Sequence, residues 1–246
     1  MRKQIPNLIT CMNVISGTLA IFLAMYGLLT AAAILILVGM VFDFFDGMTA
    51  RLLHVKSEIG KELDSLADMV SFGVAPAILA YFLIVRELPG GDFLHFATWT
   101  LGQQITAVMP VVIAPFSAYR LAKFNLYVRQ ATSFIGMPTP ANALFWVCLV
   151  FGSYYTPELY MTLFGKPGVL ASSALILSIL LISELPMFSL KISGFGWREN
   201  KIRYCYFICL IISAGIWGKG ILIFIIPLYI LFSVVEALIK ITTSNR

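Results

Sequence analysis

The residues best suited to chemistry are four aspartates in an otherwise apolar sequence. Asp43 and Asp46 are three positions apart, and Asp64 and Asp68 are four apart. On a helix, either spacing places both carboxylates on one face. Because only a short stretch separates the two pairs, the helices that carry them must be antiparallel neighbours. The sequence therefore predicts that the four carboxylates face one another.

Carboxylates grouped within a membrane need a partner of opposite charge. One carboxylate in the bilayer costs roughly 2.5–3.5 kcal/mol on insertion scales. Hard divalent cations prefer oxygen ligands, and two of them bridged by four aspartates would nearly balance the charge. We therefore expect two Mg²⁺ or Mn²⁺ ions held by Asp43, Asp46, Asp64 and Asp68. The alternative is a solvated acidic patch at the membrane surface, paired with lysines of the adjoining loop (Lys56 and Lys61).

Small residues and an arginine accompany the aspartates. Gly47, Ala50 and Gly60 leave backbone accessible, and Arg51 places a cation beside the acids. A metal-bound phosphate ligand needs such surroundings, because phosphate oxygens pair with cations and with backbone N–H groups. The pattern indicates a phosphate-containing substrate.

The composition determines which elements can position these residues. The chain has 246 residues, of which 60% are hydrophobic and 12% charged. Soluble domains are about 45–50% apolar and about 25% charged, so a soluble protein, a disordered chain and a disulfide scaffold are excluded. Continuous apolar runs predict an all-α polytopic membrane bundle of about eight transmembrane helices, since each span needs about 20 residues. The expected spans are 8–27, 30–51, 62–85 with a kink at Pro76, 100–120, 141–157, 168–189, and two within 204–240 divided near residues 217–220.

The distribution of basic residues predicts the orientation of the bundle. With both termini in the cytoplasm, most Lys and Arg residues lie on the cytoplasmic side, and only Arg86, Lys166 and Lys219 lie outside. This asymmetry is typical of membrane proteins. We therefore attribute the net charge of +5 to cytoplasmic loops and expect no nucleic-acid partner. The whole chain, 1–246, is expected to form a single integral-membrane domain.

The acidic segment has a recognisable spacing. Residues 43–68 fit the pattern D-x2-D-G-x2-A-R-x8-G-x3-D-x3-D, which resembles the signature of the CDP-alcohol phosphatidyltransferase family. The resemblance covers about residues 5–192, an expected catalytic core, and leaves a C-terminal helix pair at about 202–240. It implies transfer of a phosphatidyl-type group from a CDP-linked lipid to an alcohol, with release of CMP. It also implies a two-metal site built by the four aspartates, with Asp68 as the general base.

Other segments resemble the branch of this family that uses L-serine as acceptor and makes phosphatidylserine. The implied donor is CDP-diacylglycerol, with its acyl chains among the membrane lipids. In one segment Lys123 stands where that branch usually has a second arginine. The segments that carry the resemblance are 6–17, 68–77, 119–125, 134–140 and 185–191.

The donor would rest on the small residues near the aspartates, with its phosphates near an arginine. Polar residues at the start of the first span could reach the cytosine or ribose. The expected nucleotide- and donor-binding residues are Asn7, Thr10, Asn13, Gly47, Ala50, Arg51 and Gly60.

The acceptor would be a zwitterion, whose carboxylate needs a cation. Arg120 and Lys123 are three apart and share a helix face. An arginine can hold a carboxylate through two hydrogen bonds, which a lysine cannot, so we expect Arg120 to bind the serine carboxylate or a donor phosphate. Asn125 follows on the same segment, and two residues follow Asp68 within about one turn. The expected acceptor-binding residues are Ser71, Phe72, Arg120, Lys123 and Asn125.

Two alternatives to serine transfer stay open at this point. An acceptor such as glycerol 3-phosphate or an inositol phosphate would require more cations than Arg120 and Lys123 supply. A cation or proton transporter would place its acids nearer the midplane, on broken helices related by a repeat. Homodimers are common in the family, so a homodimer is a further expectation, as is a prokaryotic inner membrane with the active site facing the cytoplasm.

Overall fold

The structure is a computed structural model that describes residues 4–55, 57–91, 93–126, 134–188 and 197–244. Eleven α-helices account for most of these residues. In chain order they are α1 (Gln4–Met25), α2 (Leu29–Leu52), α3 (Glu58–Asp68), α4 (Ala75–Arg86), α5 (Leu101–Val108), α6 (Ile113–Leu126), α7 (Thr139–Tyr155), α8 (Pro157–Phe164), α9 (Pro167–Ile182), α10 (Trp197–Trp217) and α11 (Ile221–Ser244).

The described helices confirm an all-α membrane bundle. The segments long and apolar enough to cross a membrane are Gln4–Met25, Leu29–Leu52, Glu58–Arg86, Leu101–Leu126 and Asn200–Ile239. Counting α8 and α9 as one span bent by 73° gives a sixth. Eight spans are therefore not confirmed. The difference arises because α7 has only 17 residues and because the last segment, 40 residues long, counts once.

The first two helices form a tight hairpin. Gly27 has a φ of +76°, a backbone conformation open to glycine at little cost, and it lies between the end of α1 and the start of α2. Ala20, Ala24, Ala32 and Ala33 are buried, and small side chains let membrane helices approach closely. The predicted turn at about residues 27–30 is found there.

The third helical segment contains a break before the predicted kink. A π-helix, Met69–Val74, joins α3 to α4, and Pro76 lies in the first turn of α4. Proline has no N–H and its ring clashes with the carbonyl four residues earlier, so a wider turn before it relieves both problems. The π-helix begins directly after Asp68 and changes which side chains face each neighbouring helix.

The fourth helical segment extends beyond its predicted end at residue 120. A capping box of Thr100 and Gln103 begins α5, and Pro110 lies in a 3₁₀ turn, Met109–Val112, that leads into α6. Because α6 continues to Leu126, its last two turns carry the three polar residues predicted to bind the acceptor.

A short strand pair, which the sequence analysis did not predict, joins the segment before α7 to the segment after α9. Strands β1 (Phe134–Ile135) and β2 (Pro186–Met187) pair in antiparallel register. The N–H of Met137 donates to the carbonyl of Leu180 at 2.9 Å. These bonds fix the start of α7 beside the end of α9, and α7 then runs through the core with Trp146 and Leu149 fully buried.

The C-terminal helices contact each other across the short 3₁₀ turn Gly218–Gly220. The hydroxyl of Tyr206 in α10 donates to the carbonyl of Ile225 in α11 at 3.2 Å. The rings of Tyr206 and Phe232 lie 6.1 Å apart. The break near residues 217–220 is therefore where the sequence predicts it, and the two helices fold back on each other.

Candidate active site

Three of the four aspartates form one cluster. Asp43 comes from α2, and Asp64 and Asp68 come from α3. One carboxylate oxygen from each lies within 4.8 Å of the others, and Asp43 is within hydrogen-bonding reach of both neighbours. Carboxylates this close repel each other strongly unless a cation or proton lies among them.

The cluster has the chemistry of a divalent-cation site. Its donor atoms are all carboxylate oxygens, the ligands that Mg²⁺, Mn²⁺ and Ca²⁺ prefer. One oxygen of Asp68, Oδ1, is buried and has no hydrogen-bond partner in the part of the chain that the structure describes. A buried acceptor without a partner is costly, so this atom is available as a ligand. The residues present therefore fit a bound metal.

The fourth aspartate is held by the first helix. Asp46 is only 5% exposed, and its Oδ2 accepts a hydrogen bond from the hydroxyl of Thr10 at 2.6 Å. The same hydroxyl lies 3.0 Å from the carbonyl of Pro6. Sequence reasoning assigned Thr10 to the nucleotide, whereas the structure places its hydroxyl on a carboxylate of the site.

A cleft of about 380 Å³ opens beside the aspartates. It is formed by the first turns of α1, the end of α2, the connecting loop and the start of α3. Five predicted donor-binding residues meet in it, together with two of the aspartates. The lining residues are Pro6, Asn7, Thr10, Asp46, Gly47, Ala50, Val55, Ser57, Glu58, Gly60, Lys61 and Asp64.

The two glycines of the cleft have different roles. A Cβ on Gly47 would meet only the Arg51 guanidinium, at 3.8 Å, so the backbone of Gly47 is open. A Cβ on Gly60 would lie 2.9 Å from Oδ1 of Asn7, so Gly60 lets α1 approach α3. Arg51 is exposed and its Nε donates to the carbonyl of Gly47 at 2.9 Å, which places the arginine beside the open backbone.

Two predicted site residues lie between helices instead. Asn13 is fully buried and is not among the residues that line the cleft. Its side-chain amide has no hydrogen-bond partner among the residues described. The hydroxyl of Ser71 donates to the backbone carbonyl of Asn13 at 2.9 Å. A Cβ on Gly17 would overlap Ser71. The π-helix thus turns Ser71 toward α1, and the structure does not bring it together with the acceptor-side residues of α6.

Arg120 is the buried cation next to the aspartates. It is 9% exposed and lies close enough to Asp68 for a direct electrostatic interaction. Its Nη1 donates to the hydroxyl of Thr139 at 3.3 Å, and its guanidinium carbon lies 5.7 Å from the centre of the Phe124 ring. Its Nε has no hydrogen-bond partner within the described ranges. A buried charge needs a group of opposite charge nearby, and Asp68 is that group.

The other predicted acceptor-side residues lie farther from the cluster or bond elsewhere. Lys123 forms an ion pair with the exposed Glu184 at 3.7 Å. The side-chain amide of Asn125 donates to the hydroxyl of Ser65 at 2.8 Å, which ties α6 to α3. Phe72 is fully buried in the apolar core.

The predicted site residues did not include several polar residues that lie at the site. Lys61 lines the cleft, and its Nζ donates to the backbone carbonyl of Asn125 at 3.0 Å. Thr139 bonds Arg120, and two further buried polar residues, Ser117 and Asn142, lie one helical turn from that bond. The available signal was their spacing: Ser117 precedes Arg120 by three positions, and Asn142 follows Thr139 by three.

These features define a class of protein. The molecule is an integral-membrane enzyme with a carboxylate cluster that could hold a metal ion and a cleft beside that cluster. The family profile described as CDP-alcohol phosphatidyltransferase matches residues 3–185, three quarters of the sequence. The chain belongs to the CDP-alcohol phosphatidyltransferase family, which is metal-dependent.

Several curated proteins are similar to the chain. The CDP-diacylglycerol–serine O-phosphatidyltransferase of Bacillus subtilis (strain 168) is 40% identical over 158 residues, which cover 64% of this chain and 80% of the relative. The protein of the same name from Helicobacter pylori (strain 26695) is 34% identical, covering 68% of this chain and 69% of the relative. The archaetidylserine synthase of Methanothermobacter thermautotrophicus is 34% identical, covering 71% of this chain and 67% of the relative.

The hydrogen bond from Thr10 to Asp46 generates a prediction about metal binding. We expect Thr10→Val, which removes the donor and keeps the volume, to weaken Mn²⁺ binding about 10- to 100-fold, as loss of a partner that orients a ligand typically does. Calorimetric titration of the purified, substrate-free protein with Mn²⁺ measures this directly. Thr106→Val is the matched control, because the Thr106 hydroxyl bonds only a carbonyl of its own helix. Unchanged Mn²⁺ affinity in Thr10→Val would contradict the prediction.

Proposed function

We propose that this protein transfers a phosphatidyl group from CDP-diacylglycerol to L-serine, giving phosphatidylserine and CMP. The observation that carries the proposal is the cluster of Asp43, Asp64 and Asp68 beside the cleft, in a chain of this family whose relatives include transferases named for CDP-diacylglycerol and serine. A transporter built on the same aspartates would not require a cleft of about 380 Å³ beside them.

Asp43, Asp64 and Asp68, with Asp46 next to them, would hold two divalent cations, Mg²⁺ or Mn²⁺. Bound there, the cations would neutralise the pyrophosphate of the donor and the charge that develops on the departing CMP. The hydrogen bond from Thr10 keeps Asp46 turned toward the cleft. The aspartates thus fix where the reacting phosphate lies.

The donor would occupy the cleft along α1, α2 and α3. Its pyrophosphate would lie against the open backbone at Gly47 and near Ala50, with Arg51 and Lys61 contributing positive charge. Asn7 also lines the cleft, where its Oδ1 lies close to Gly60, and its side chain would bond the nucleoside. Because the cleft opens between membrane helices, the acyl chains can stay in the bilayer.

The acceptor would approach from the side of α6. Its carboxylate would pair with Arg120, a cation already desolvated next to Asp68. The serine hydroxyl would attack the phosphorus that bears diacylglycerol and transfer its proton to Asp68. A new O–P bond forms as the bond from that phosphorus to the CMP oxygen breaks. Such transfer depends mainly on positioning and charge neutralisation.

We further propose that the catalytic end of the bundle faces the cytoplasm of a prokaryotic inner membrane and that both termini lie on that side. Support comes from three basic residues at the same end of the bundle as the aspartates, because Lys and Arg are enriched on the cytoplasmic side of membrane proteins. They are Arg51, Lys61 and Lys123. The same proposal includes eight spans, a single domain over the whole chain and a homodimer. Cysteine accessibility in membranes tests the number of spans, and chemical cross-linking in membranes tests the homodimer.

The first test is CMP release. Detergent-purified protein with CDP-diacylglycerol and Mn²⁺ or Mg²⁺ should release CMP only when L-serine is present, and EDTA should abolish release. Asp43→Asn should lower the rate by at least about 1000-fold, because it removes a ligand charge, whereas the exposed acid-to-amide control Glu158→Gln should keep the wild-type rate. Release that requires glycerol 3-phosphate or an inositol phosphate instead would overturn the choice of serine and keep the transferase class.

The open backbone at Gly47 gives a prediction about the donor. Gly47→Ala places a methyl group in the cleft without a protein clash, since its nearest neighbour would be 3.8 Å away. We expect the KM for CDP-diacylglycerol to rise about tenfold, equivalent to about 1.4 kcal/mol, with the melting temperature unchanged. Gly102→Ala, at a helical glycine with nothing within 4 Å, is the control. An unchanged KM would show that the donor does not contact Gly47.

The contrast between Arg120 and Lys123 gives a prediction about the acceptor. Arg120→Lys keeps the charge but loses the paired geometry, so we expect the KM for serine to rise at least about tenfold, with little change in the KM for the donor. Lys123→Gln should change either constant less than about threefold, because its ion pair is partly exposed and such pairs contribute about 0–1 kcal/mol. Equal effects of the two substitutions would refute the distinct role of Arg120.

A further inference from the structure

A group of buried polar side chains lies next to Arg120 and has too few hydrogen-bond partners. Ser117 and Asn142 are both fully buried. The hydroxyl of Ser117 and both side-chain amide atoms of Asn142 have no partner among the described residues. A buried polar group left unpaired destabilises the fold. Buried side chains of this kind are typical of positions where a bound ligand or water supplies the missing hydrogen bond.

The geometry connects both residues to the proposed acceptor position. Arg120 in the second half of α6 bonds Thr139 in the first turn of α7 at 3.3 Å. Ser117 lies one turn before Arg120, and Asn142 one turn after Thr139, so each shares a helix face with one member of that bond. The Nε of Arg120 is unpartnered as well.

The same group adjoins the π-helix that follows Asp68. A Cβ on Gly73 would lie 3.1 Å from Cβ of Ser117, so α6 and the π-helix are in close contact there. Arg120 interacts with Asp68 at the start of that π-helix. The unpaired groups therefore lie on the acceptor side of the aspartates, away from the donor cleft, whose lining residues come from α1, α2, α3 and the loop between α2 and α3.

Building on the proposed function, we propose that Asn142 binds the α-ammonium group of the amino-acid acceptor. It would thereby select serine over hydroxy acids that have no amino group. With the carboxylate on Arg120 and the hydroxyl at Asp68, the ammonium needs a neutral acceptor. The side-chain oxygen of Asn142 supplies one without adding a negative charge beside the aspartates. Ser117, one turn before Arg120 on α6, would offer its unpaired hydroxyl beside it.

The experiment compares L-serine with 3-hydroxypropionate, which has the same hydroxyl and carboxylate and no ammonium group. For the wild-type enzyme, kcat/KM for serine should exceed that for 3-hydroxypropionate by at least about 100-fold, because a site built to bond a group rejects the analogue that lacks it. Asn142→Leu should lower kcat/KM for serine about 100-fold and leave that for 3-hydroxypropionate nearly unchanged. The KM for CDP-diacylglycerol should stay constant.

Structural damage would give a different result. A variant that merely disturbs packing lowers kcat/KM for both acceptors equally, and such parallel loss in both Asn142→Leu and the smaller Asn142→Ala would overturn the proposal. An unchanged kcat/KM for serine in Asn142→Leu would also overturn it. Removing an unpaired buried amide should also keep or raise the melting temperature. Serine-dependent CMP release by the wild type tests the proposed function separately, before any variant is compared.

Discussion

The close grouping of carboxylates inside a membrane bundle is the constraint on which the rest of the structure depends. Asp43, Asp64 and Asp68 present oxygens within 4.8 Å of one another, an arrangement that is unfavourable without cations. The surrounding elements reduce this cost in different ways. Helix α1 donates a hydroxyl to Asp46, and α6 places Arg120 beside Asp68. The bundle thus holds the carboxylates together at a site whose negative charge a divalent cation could neutralise.

Part of this arrangement follows from local sequence. The i, i+3 and i, i+4 spacing of the aspartates, the turn at Gly27 and the break near residues 217–220 each depend on a few neighbouring residues, so the pattern sufficed to predict them. The clustering of the aspartates followed from the short connection between their helices, although the structure brings three of them into one group and holds the fourth through Thr10.

The remaining features depend on tertiary contacts that spacing does not reveal. Pro76 predicted a kink, but the relief takes the form of a π-helix that starts at Met69, and this shift turns Ser71 toward α1. The fourth span was predicted to end at about residue 120, whereas α6 continues to Leu126, where Asn125 bonds Ser65 and accepts from Lys61 and so joins the last turn of α6 to α3. The bond between Arg120 and Thr139 joins residues 19 positions apart, beyond the reach of periodicity.

The site is divided between two sets of helices, and Asp68 lies where they meet. Helices α1, α2 and α3 form the cleft that we propose for the donor, while α6 and α7 carry Arg120, Thr139 and Asn142, which belong to the proposed acceptor position. In this proposal the donor and the acceptor would meet different residues, so acceptor choice could change without altering the aspartates. Tyr229 of α11 also lies within electrostatic reach of Arg120, although the family match ends at residue 185. Helix α11 packs against α7, the helix that carries Thr139, so changes in α11 should alter binding at the proposed serine position before they alter binding in the proposed donor cleft.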